Sequence, residues 1–354
     1  MRSYLFKTIL LILIGTRIAV GQSFPEHFDM KPDSIRGYIC YRTNQVINID
    51  GKGTEAIWEK APWTDSYIDI EGSKRPKPKY TTRTKMLWDE QYLYIFAELE
   101  EPHIWANLRK HDTIIFHDND FEVFIDPTGD THNYFEIEIN AFNTVMDLYM
   151  FKPYRVGGTA MLNWDCKGLK TAVHVNGTIN NPADQDHSWT VEMAIPFSAL
   201  AFYHRRSVPG DGNIWRINFS RVEWDVDIKD GFYYKQKKPE NNWVWSPIGI
   251  VNMHAPEKWG FLQFSKDVAG TSGKVFNQPK YAKAEALTWE VYYRLYQYHR
   301  LHGTYTNSLK DLEFEPKDAR VIIDCTNNLF DVNLLMDGVN CNINQDGKLI
   351  THHE

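Results

Sequence analysis

The sequence lacks the short motifs that mark several large enzyme classes. It contains no G-x-S-x-G nucleophile elbow, no H-E-x-x-H zinc motif and no glycine-rich phosphate loop. Serine hydrolases of the nucleophile-elbow type, zinc peptidases and phosphate-loop nucleotide enzymes are therefore excluded. The 13 histidines include no H-x-x-x-H pair, the spacing of two zinc ligands on one face of a helix. His111 and His117, which bracket the segment DTIIF, are interpreted as loop residues rather than ligands.

Cysteine is scarce, with four residues in a chain of 354. None forms a C-x-x-C pair, which argues against a zinc site built from thiolates. The possible disulfide connectivities stay open for so few cysteines. Cys325 and Cys341 are the first choice for a disulfide, because they flank a predicted hairpin, and Cys40 and Cys166 are left unassigned.

Basic residues are also fewer than acidic residues. Lysine and arginine number 39 against 46 aspartate and glutamate residues, for a formal net charge of −7. An acidic chain is a poor partner for nucleic acid or for an anionic membrane surface. Aromatic residues are abundant instead, at 14% of the chain with 12 tryptophans, and tryptophan is typical of cores, interfaces and sugar-stacking surfaces.

One long apolar run stands out, and it lies at the N-terminus. The basic segment MRSYLFK precedes the apolar run TILLILIG, and the small residues Ala19 and Gly21 predict cleavage before Gln22. Residues 1–21 are therefore predicted to be a signal peptide, since the run is too short for an integral membrane span. We expect an exported protein that is periplasmic, displayed on the cell surface or secreted. The alternative is an unusual apolar start to a cytosolic protein.

Short alternations of apolar and polar residues follow from Val46 to about Lys266. Strands of this length, separated by Gly, Pro, Asn and Asp, predict an all-β domain over residues 46–266 that folds as an antiparallel β-sandwich. A long helical period is absent there, which excludes a barrel of alternating strands and helices. The predicted strands are YLYIFAELE (92–100), DFEVFID (120–126), YFEIEIN (134–140), WTVEMAI (189–195), WRINFSRVEW (215–224) and WGFLQF (259–264).

The segments on either side of this domain differ in composition. Residues 22–45 are interpreted as an irregular leader, and residues 267–280, rich in Gly, Ser and Pro, as a linker. Residues 281–302 predict a helix with an aromatic packing face that ends at Gly303. Two later Asp-Gly steps predict hairpin turns, so residues 281–354 form a small α+β extension.

Two neighbouring predicted strands carry glutamates on the same side. Glu122, Glu136 and Glu138 project away from the apolar side of their strands. Carboxylates accept hydrogen bonds from sugar hydroxyls, so this face suits a polyhydroxylated ligand. The alternative is an ordinary solvated face. Because like charges repel across strands, the glutamates need a partner, for which Arg221, Arg216, a metal or hydroxyl groups are the candidates.

The loop DPTGDTHN (126–133) is a candidate calcium site. Asp126, Asp130 and backbone carbonyls supply the oxygen ligands that a hard cation requires. The alternative is a hydrated turn in which Asp and Gly set the backbone geometry. A structural Ca²⁺ ion is thus the one cofactor that the residues suggest.

The segment 241–264 is rich in aromatic residues. Trp243, Trp245 and Trp259 lie there with His254. An aromatic loop at the rim of a sandwich is a typical binding site, and the alternative is a hydrophobic plug over an open end of the sandwich.

Taken in order, these motifs resemble the family 9 carbohydrate-binding modules, whose sandwich is related to the DOMON fold and to immunoglobulin-like jelly rolls. The resemblance covers about residues 46–266, and the sequence is similar to a branch with a W-S-P…M-H-x-P-E-x-W-G ending. The segments that carry it are VINIDGKGTEAIWEKAPW (46–63), TKMLWDEQYLYIFAELEEPHIW (84–105), DNDFEVFIDP (118–127), VEMAIPFSAL (191–200) and WGFLQF (259–264).

The resemblance implies a sugar ring clamped between two aromatic side chains, with acids and amides on its hydroxyls. The first aromatic residue of the clamp falls on Phe116, and the acids fall on Glu101 and Glu122. A polar pair on the next strand falls on Glu138 and Asn140. The second aromatic position falls on Met253, beside His254, so half of the clamp is changed.

Three functions follow from these observations. The first is a non-catalytic protein that binds an oligo- or polysaccharide and serves polysaccharide breakdown, together with glycoside hydrolases. The second is a glycoside hydrolase, which needs one carboxyl with a raised pKa and a second at a set distance. The third is a haem-binding redox module, which the resemblance implies because DOMON relatives hold haem through Met and His. Met253 and His254 are the candidate ligands, and Met86 or another histidine would have to help. Because Met253 and His254 are adjacent, they would point to opposite faces of a strand and could not both bind one iron.

Overall fold

The computed structural model describes residues 35–201 and 208–353. The predicted signal peptide and most of the leader lie outside the described residues. No helix in the part of the chain that is described is long and apolar enough to cross a membrane.

Nineteen strands and two α-helices make up the described structure. The helices are α1, Ala56–Lys60, and α2, Ala282–His302. The strands are β1 Gly37–Arg42, β2 Ile68–Asp69, β3 Thr82–Trp88, β4 Tyr92–Glu100, β5 Asp120–Asp126, β6 Tyr134–Asn140, β7 Val145–Met150, β8 Ala160–Met161, β9 Lys170–Asn176, β10 Ser188–Pro196, β11 Ile214–Glu223, β12 Val226–Lys229, β13 Phe232–Lys235, β14 Asn241–Val244, β15 Gly260–Val268, β16 Arg320–Cys325, β17 Phe330–Met336, β18 Val339–Asn344 and β19 Leu349–His353.

One large sheet contains thirteen of these strands. Its order is β8-β7-β6-β5-β11-β15-β1-β3-β4-β10-β9, and β14 joins β11 to β2. Most pairings are antiparallel, as predicted, but β1 pairs in parallel with both β15 and β3. The sheet is therefore mixed, and the expectation of an irregular leader is wrong for residues 37–42. Alternate residues of β1, Tyr38 and Cys40, are buried in the main core, which makes this short segment a strand rather than a leader.

The sheet forms two layers around one core, as the all-β sandwich prediction requires. Inward residues of β5, Phe121, Val123 and Ile125, pack in the same apolar cluster as Ile95 of β4 and Val191 of β10. These strands are not neighbours in the sheet, so their side chains meet across the core. The alternation that predicted the strands thus separates this core from an outer face.

A second apolar cluster covers the outer face of the layer that holds β5, β6 and β7. Phe124, Tyr134 and Met146 of the strands pack there against Met253 and Trp259. The last two belong to the connection between β14 and β15. This connection and the short helical turn Ile115–His117 form the walls of the cleft described below.

The C-terminal extension has the predicted form. Helix α2 packs on a four-stranded sheet of order β16-β17-β18-β19, and Gly303 ends the helix with a left-handed φ of 73°. Asp337 and Gly338 both have positive φ at the turn between β17 and β18, as an Asp-Gly hairpin requires.

The extension docks on the sandwich through buried polar contacts. Arg155 donates to Glu257 at 2.9 Å, and the hydroxyl of Tyr293 on α2 donates to the other oxygen of Glu257. Arg216 of β11 pairs with Glu285 of α2 at 2.9 Å. The extension is thus joined to the sandwich by buried charges as well as by apolar packing.

The predicted disulfide is not formed. All four cysteines are free thiols. Cys325 lies on β16 and Cys341 on β18, and β17 runs between these strands. Cys341 lies within the β17–β18 hairpin rather than beside it, and Cys325 and Cys341 pair with different residues of β17. The two cysteines therefore do not share a strand pair and are not placed to form a disulfide.

Candidate sugar-binding cleft

A cleft of about 360 Å³ opens on the outer face of β5, β6 and β7. The pleat of the strands aims alternate side chains of β5 and β6 into it, and the connection after β14 supplies one wall. Its lining is a mixture of acidic, aromatic and apolar side chains that includes Phe116, Glu122, Phe124, Glu136, Glu138, Leu148, Tyr154, Val222, Glu240, Asn242, Asn252, Met253 and His254.

Three carboxyl groups, those of Glu122, Glu136 and Glu138, line the floor of this cleft, and the buried Asp120 joins their cluster. Glu122 and Glu138 lie directly opposite each other in the β5–β6 register. Carboxyl oxygens of Asp120, Glu122 and Glu138 lie within 4.8 Å of one another. Glu136 follows on the same side of β6, and all four residues are at most 5% exposed. The predicted acidic face exists, but it is a covered cluster and not a solvated surface.

Burial and mutual repulsion raise the pKa of every member of this cluster. Desolvation is the largest cause in each case, and the neighbouring carboxylates add to it. The pKa of Glu136 rises from 4.5 to about 8. At neutral pH the cluster therefore holds protons, and carboxyl groups in this state both donate and accept hydrogen bonds. Sugar hydroxyls need partners of both kinds.

No arginine within residues 35–201 and 208–353 neutralises the cluster. Arg221 lies on the core-facing side of β11 and pairs with Glu101 at 2.7 Å and Glu223 at 2.8 Å. Arg216 is paired with Glu285. Among the described residues, no lysine or arginine forms a salt bridge with the four acids, and Oδ2 of Asp120 and Oε2 of Glu136 are buried without a hydrogen-bond partner. The two arginine partners considered for the acidic face are therefore engaged elsewhere.

His254 adds a neutral polar group to the wall. The hydroxyl of Tyr134 lies 2.9 Å from its Nδ1, and its Nε2 is 3.7 Å from Oε2 of Glu136. Burial and the nearby Arg155 lower the pKa of His254 to about 3. The ring is therefore uncharged at neutral pH and does not offset the acids.

The aromatic part of the cleft differs from the predicted clamp. Phe116 is half-buried, and its backbone N–H donates to Oε2 of Glu138 at 3.0 Å, which ties the aromatic wall to the acidic floor. Met253 lines the cleft at the position of the second aromatic residue. Tyr154 stands beside it with its ring centroid 4.4 Å from that of His254. Sequence reasoning missed Tyr154, and its one signal was an aromatic residue in the Pro- and Gly-bounded turn KPYRVGG.

Glu101, predicted as a ligand contact, lies outside the cleft together with Arg221. Arg221 also donates to Thr82 and to the carbonyl of Glu100. Both side chains are at most 3% exposed. The buried pair therefore offers no face to a ligand.

Trp243, Trp245 and Asn140 do not line the cleft either. The two tryptophans pack in the main core at 3% and 1% exposure, so they correspond to the alternative of a hydrophobic plug. The amide of Asn140 donates to Leu108 and Asp118 and accepts from the N–H groups of the following turn. Every polar atom of the Asn140 side chain is thus used within the fold.

The candidate calcium loop forms a self-contained turn. Asp126 accepts from the N–H groups of Thr128, Gly129 and Thr131, and Asp130 accepts from the Thr128 hydroxyl. Neither aspartate belongs to a cluster of metal-ligating side chains among the described residues. Both carboxylates accept hydrogen bonds within the turn. The loop therefore corresponds to the alternative, a turn in which Asp and Gly set the backbone geometry.

Met86, Met253 and His254 are not placed to bind one haem iron together. Met86 lies in the main core, on the other side of the layer from His254. Both ring nitrogens of His254 already face Tyr134 and Glu136. The residues predicted for the redox module are therefore not brought together.

The raised pKa of Glu136 predicts a pH-dependent stability. A carboxyl whose folded pKa lies above its unfolded value stabilises the fold fully below about pH 4.5, and this contribution is lost as the pH rises towards about 8. His254, with a lowered pKa, acts in the opposite sense only below its ordinary value of 6.5. Between these limits, from about pH 6.5 to about pH 8, each titrating carboxyl should lower the free energy of unfolding. The decrease is up to about 1.4 kcal/mol for each pH unit.

Urea denaturation across this pH range measures the effect. Glu136→Gln should flatten the slope, whereas Glu98→Gln, a half-exposed change on β4, should leave it unchanged. A slope that is the same in both variants would show that Glu136 does not keep its proton in the folded chain.

The described sandwich has relatives among known proteins. The model of the carbohydrate family 9 binding domain-like family matches residues 49–263. Exoglucanase XynX of Acetivibrio thermocellus is 26% identical over 152 residues, 43% of this chain and 12% of the enzyme. Endo-1,4-β-xylanase C of Paenibacillus barcinonensis is 33% identical over 112 residues, 31% of this chain and 9% of that enzyme.

A solved family 9 carbohydrate binding module from Caldicellulosiruptor kristjanssonii, in complex with cellotriose, is 16% identical. The alignment covers 68% of this chain and 100% of the module, with a TM-score of 0.42. The family match extends over more than half of the chain and over nearly all of the described sandwich. The chain therefore belongs to the carbohydrate family 9 binding domain-like family.

Proposed function

We propose that this chain is a non-catalytic carbohydrate-binding protein that holds an oligo- or polysaccharide in the cleft of β5, β6 and β7. The observation that carries the proposal is the meeting of an acidic floor, Glu122, Glu136 and Glu138, with an aromatic wall in one cavity. Carboxyl groups bind hydroxyls, and aromatic rings stack on the apolar C–H faces of a sugar. The volume of about 360 Å³ is suited to a small number of sugar rings.

The relatives suggest which glycans to test first. Their names, an exoglucanase and an endo-1,4-β-xylanase, point to glucan and to β-1,4-linked xylan. The matched region is a small part of each enzyme, so we propose binding and not hydrolysis as the shared property. Export through the N-terminal segment and action beside glycoside hydrolases belong to the same proposal, because polysaccharides are broken down outside the cytoplasm.

Calorimetric titration of the full chain against a panel of such oligosaccharides tests this function. We expect saturable binding at micromolar to millimolar sugar and a matching rise in melting temperature by mass action. The panel should also be assayed for new reducing ends. Binding without new reducing ends supports the proposal, new reducing ends favour the glycoside hydrolase, and an absence of binding to every glycan contradicts it for those sugars.

Phe116→Ala should weaken glycan binding about tenfold, because a stacked aromatic ring contributes on the order of 1–1.5 kcal/mol beyond its buried area. Phe151→Ala is the matched control, since this phenylalanine is 58% exposed and does not line the cleft. Equal affinities of the two variants would remove Phe116 from the binding wall.

A further inference from the structure

A second cleft lies at the start of β7, on the core-facing side of the strand. It has a volume of about 490 Å³ and is separated by the sheet layer from the proposed sugar cleft. Asp147 projects from β7 on the side opposite to Met146 and Leu148, which belong to the cluster under the sugar cleft. The lining includes Arg109, His111, Asp147, Asp165, Cys166 and Thr171.

His111 is held in one orientation here. Its Nδ1 lies 2.8 Å from the backbone carbonyl of Val145, and a carbonyl can only accept, so Nδ1 carries the proton. The other ring nitrogen, Nε2, then faces the carboxylates. A hydrogen bond from one ring nitrogen to a backbone carbonyl is the usual support of a histidine that binds a metal through the other nitrogen.

Three carboxylate oxygens surround this Nε2. Those of Asp112 and Asp165 lie at 3.4 Å and that of Asp147 at 3.7 Å. One ligand atom from each of the four side chains lies within 4.8 Å of all the others. Metal–ligand bonds of about 2.0–2.1 Å in a tetrahedral site place ligand atoms about 3.3–3.4 Å apart. The three distances from Nε2 of His111 are close to this spacing, and the remaining ligand atoms lie within 4.8 Å of one another.

Asp147 provides an independent indication of a ligand. It is 3% exposed, and its Oδ2 accepts from the backbone N–H of Cys166. Its Oδ1 is buried without any hydrogen-bond partner and points towards His111. Burial of a carboxylate oxygen without a hydrogen-bond partner costs free energy unless a ligand binds it. Arg109, the cation in the lining, stacks on Phe142 with its guanidinium 3.5 Å from the ring centre.

We propose that His111, Asp112, Asp147 and Asp165 bind a divalent first-row transition metal, with Zn²⁺ as the preferred ion. One imidazole and three carboxylates suit zinc or manganese, whereas calcium takes oxygen ligands alone. Because the ligands come from β7 and from two different loops, the ion would fix those loops to the sheet edge. If the ion binds, the interpretation of His111 as a plain loop residue is wrong.

Titration of EDTA-treated full chain with ZnCl₂ tests the site, with MnCl₂ and CaCl₂ as comparisons. We expect one zinc per chain with micromolar or tighter affinity, a rise in melting temperature, and visible absorption bands when Co²⁺ replaces zinc. His111→Gln and Asp165→Asn, both changes of exposed side chains, should each weaken zinc binding at least tenfold, and His174→Gln, an exposed histidine on β9, should not.

Zinc binding that is equally strong in His111→Gln, Asp165→Asn and His174→Gln would overturn the proposal, as would no zinc binding below millimolar concentration. The cluster would then be a set of ion pairs around a protonated His111. Glycan affinity should be unchanged in all three variants, so this outcome is independent of the proposed sugar binding.

Discussion

Glu122→Gln should abolish measurable glycan binding and at the same time raise the stability of the unliganded chain. The side chain is 5% exposed, lies opposite Glu138 and has a pKa raised well above its usual range, first by burial and then by Glu138. An amide of the same shape cannot ionise, so it removes the free-energy cost of any negative charge that remains in the buried cluster. It also removes the carboxyl group that hydrogen-bonds a sugar hydroxyl in either protonation state. Opposite changes in affinity and melting temperature are therefore the expected signature.

Calorimetry and thermal denaturation of the same preparations measure both effects. Glu98→Gln is the control, because Glu98 lies on β4 in the other layer and pairs with Arg83 at the surface. If Glu122→Gln binds glycan as the wild type does, the acidic cluster is only a covered sheet face. The tryptophans at 243 and 245 could not then replace it, since both are buried in the main core.

Glu257→Ala should lower the free energy of unfolding by about 3–5 kcal/mol. Glu257 is fully buried and accepts from Arg155, which is 4% exposed, and from the Tyr293 hydroxyl. The substitution leaves a buried guanidinium without its anion, and such a loss is far costlier than the loss of a surface pair. The change should act at the junction between the sandwich and helix α2.

The matched control is Glu290→Ala, which removes an i,i+4 pair with Arg294 on the outer side of the same helix. Partly exposed pairs of this kind contribute about 0–1 kcal/mol. Urea denaturation that gives the same small loss for both variants would show that Arg155 finds another partner and that the junction does not depend on Glu257.

The strands were predictable because alternation has a period of two, which is a local property. The predicted segments 92–100, 120–126 and 134–140 coincide with β4, β5 and β6. The side of each residue followed as well, so Glu122, Glu136 and Glu138 were correctly placed on one face. Strand order was not predictable, since it depends on pairings between distant segments. The parallel insertion of β1 between β15 and β3 is an example.

Some residues were misassigned because the parity of their own strand was not applied to them, and others were missed because they lie in turns. Arg221 has the parity of the core-facing residues of β11, Ile217 and Phe219, and so it turns away from the glutamates. Trp243 lies opposite it in register and is buried for the same reason. Tyr154 and His111 come from turns, where no period exists, and only the folded chain brings them to Glu136 or to Asp147.

A crystal structure of the full chain, grown with an excess of the oligosaccharide that binds most tightly in calorimetry, tests the central claim most directly. The sugar should occupy the cleft of β5, β6 and β7, with a hydroxyl within about 3 Å of the Glu122 carboxyl and a ring face against Phe116. A sugar bound elsewhere on the chain, with this cleft filled only by water, would contradict the account.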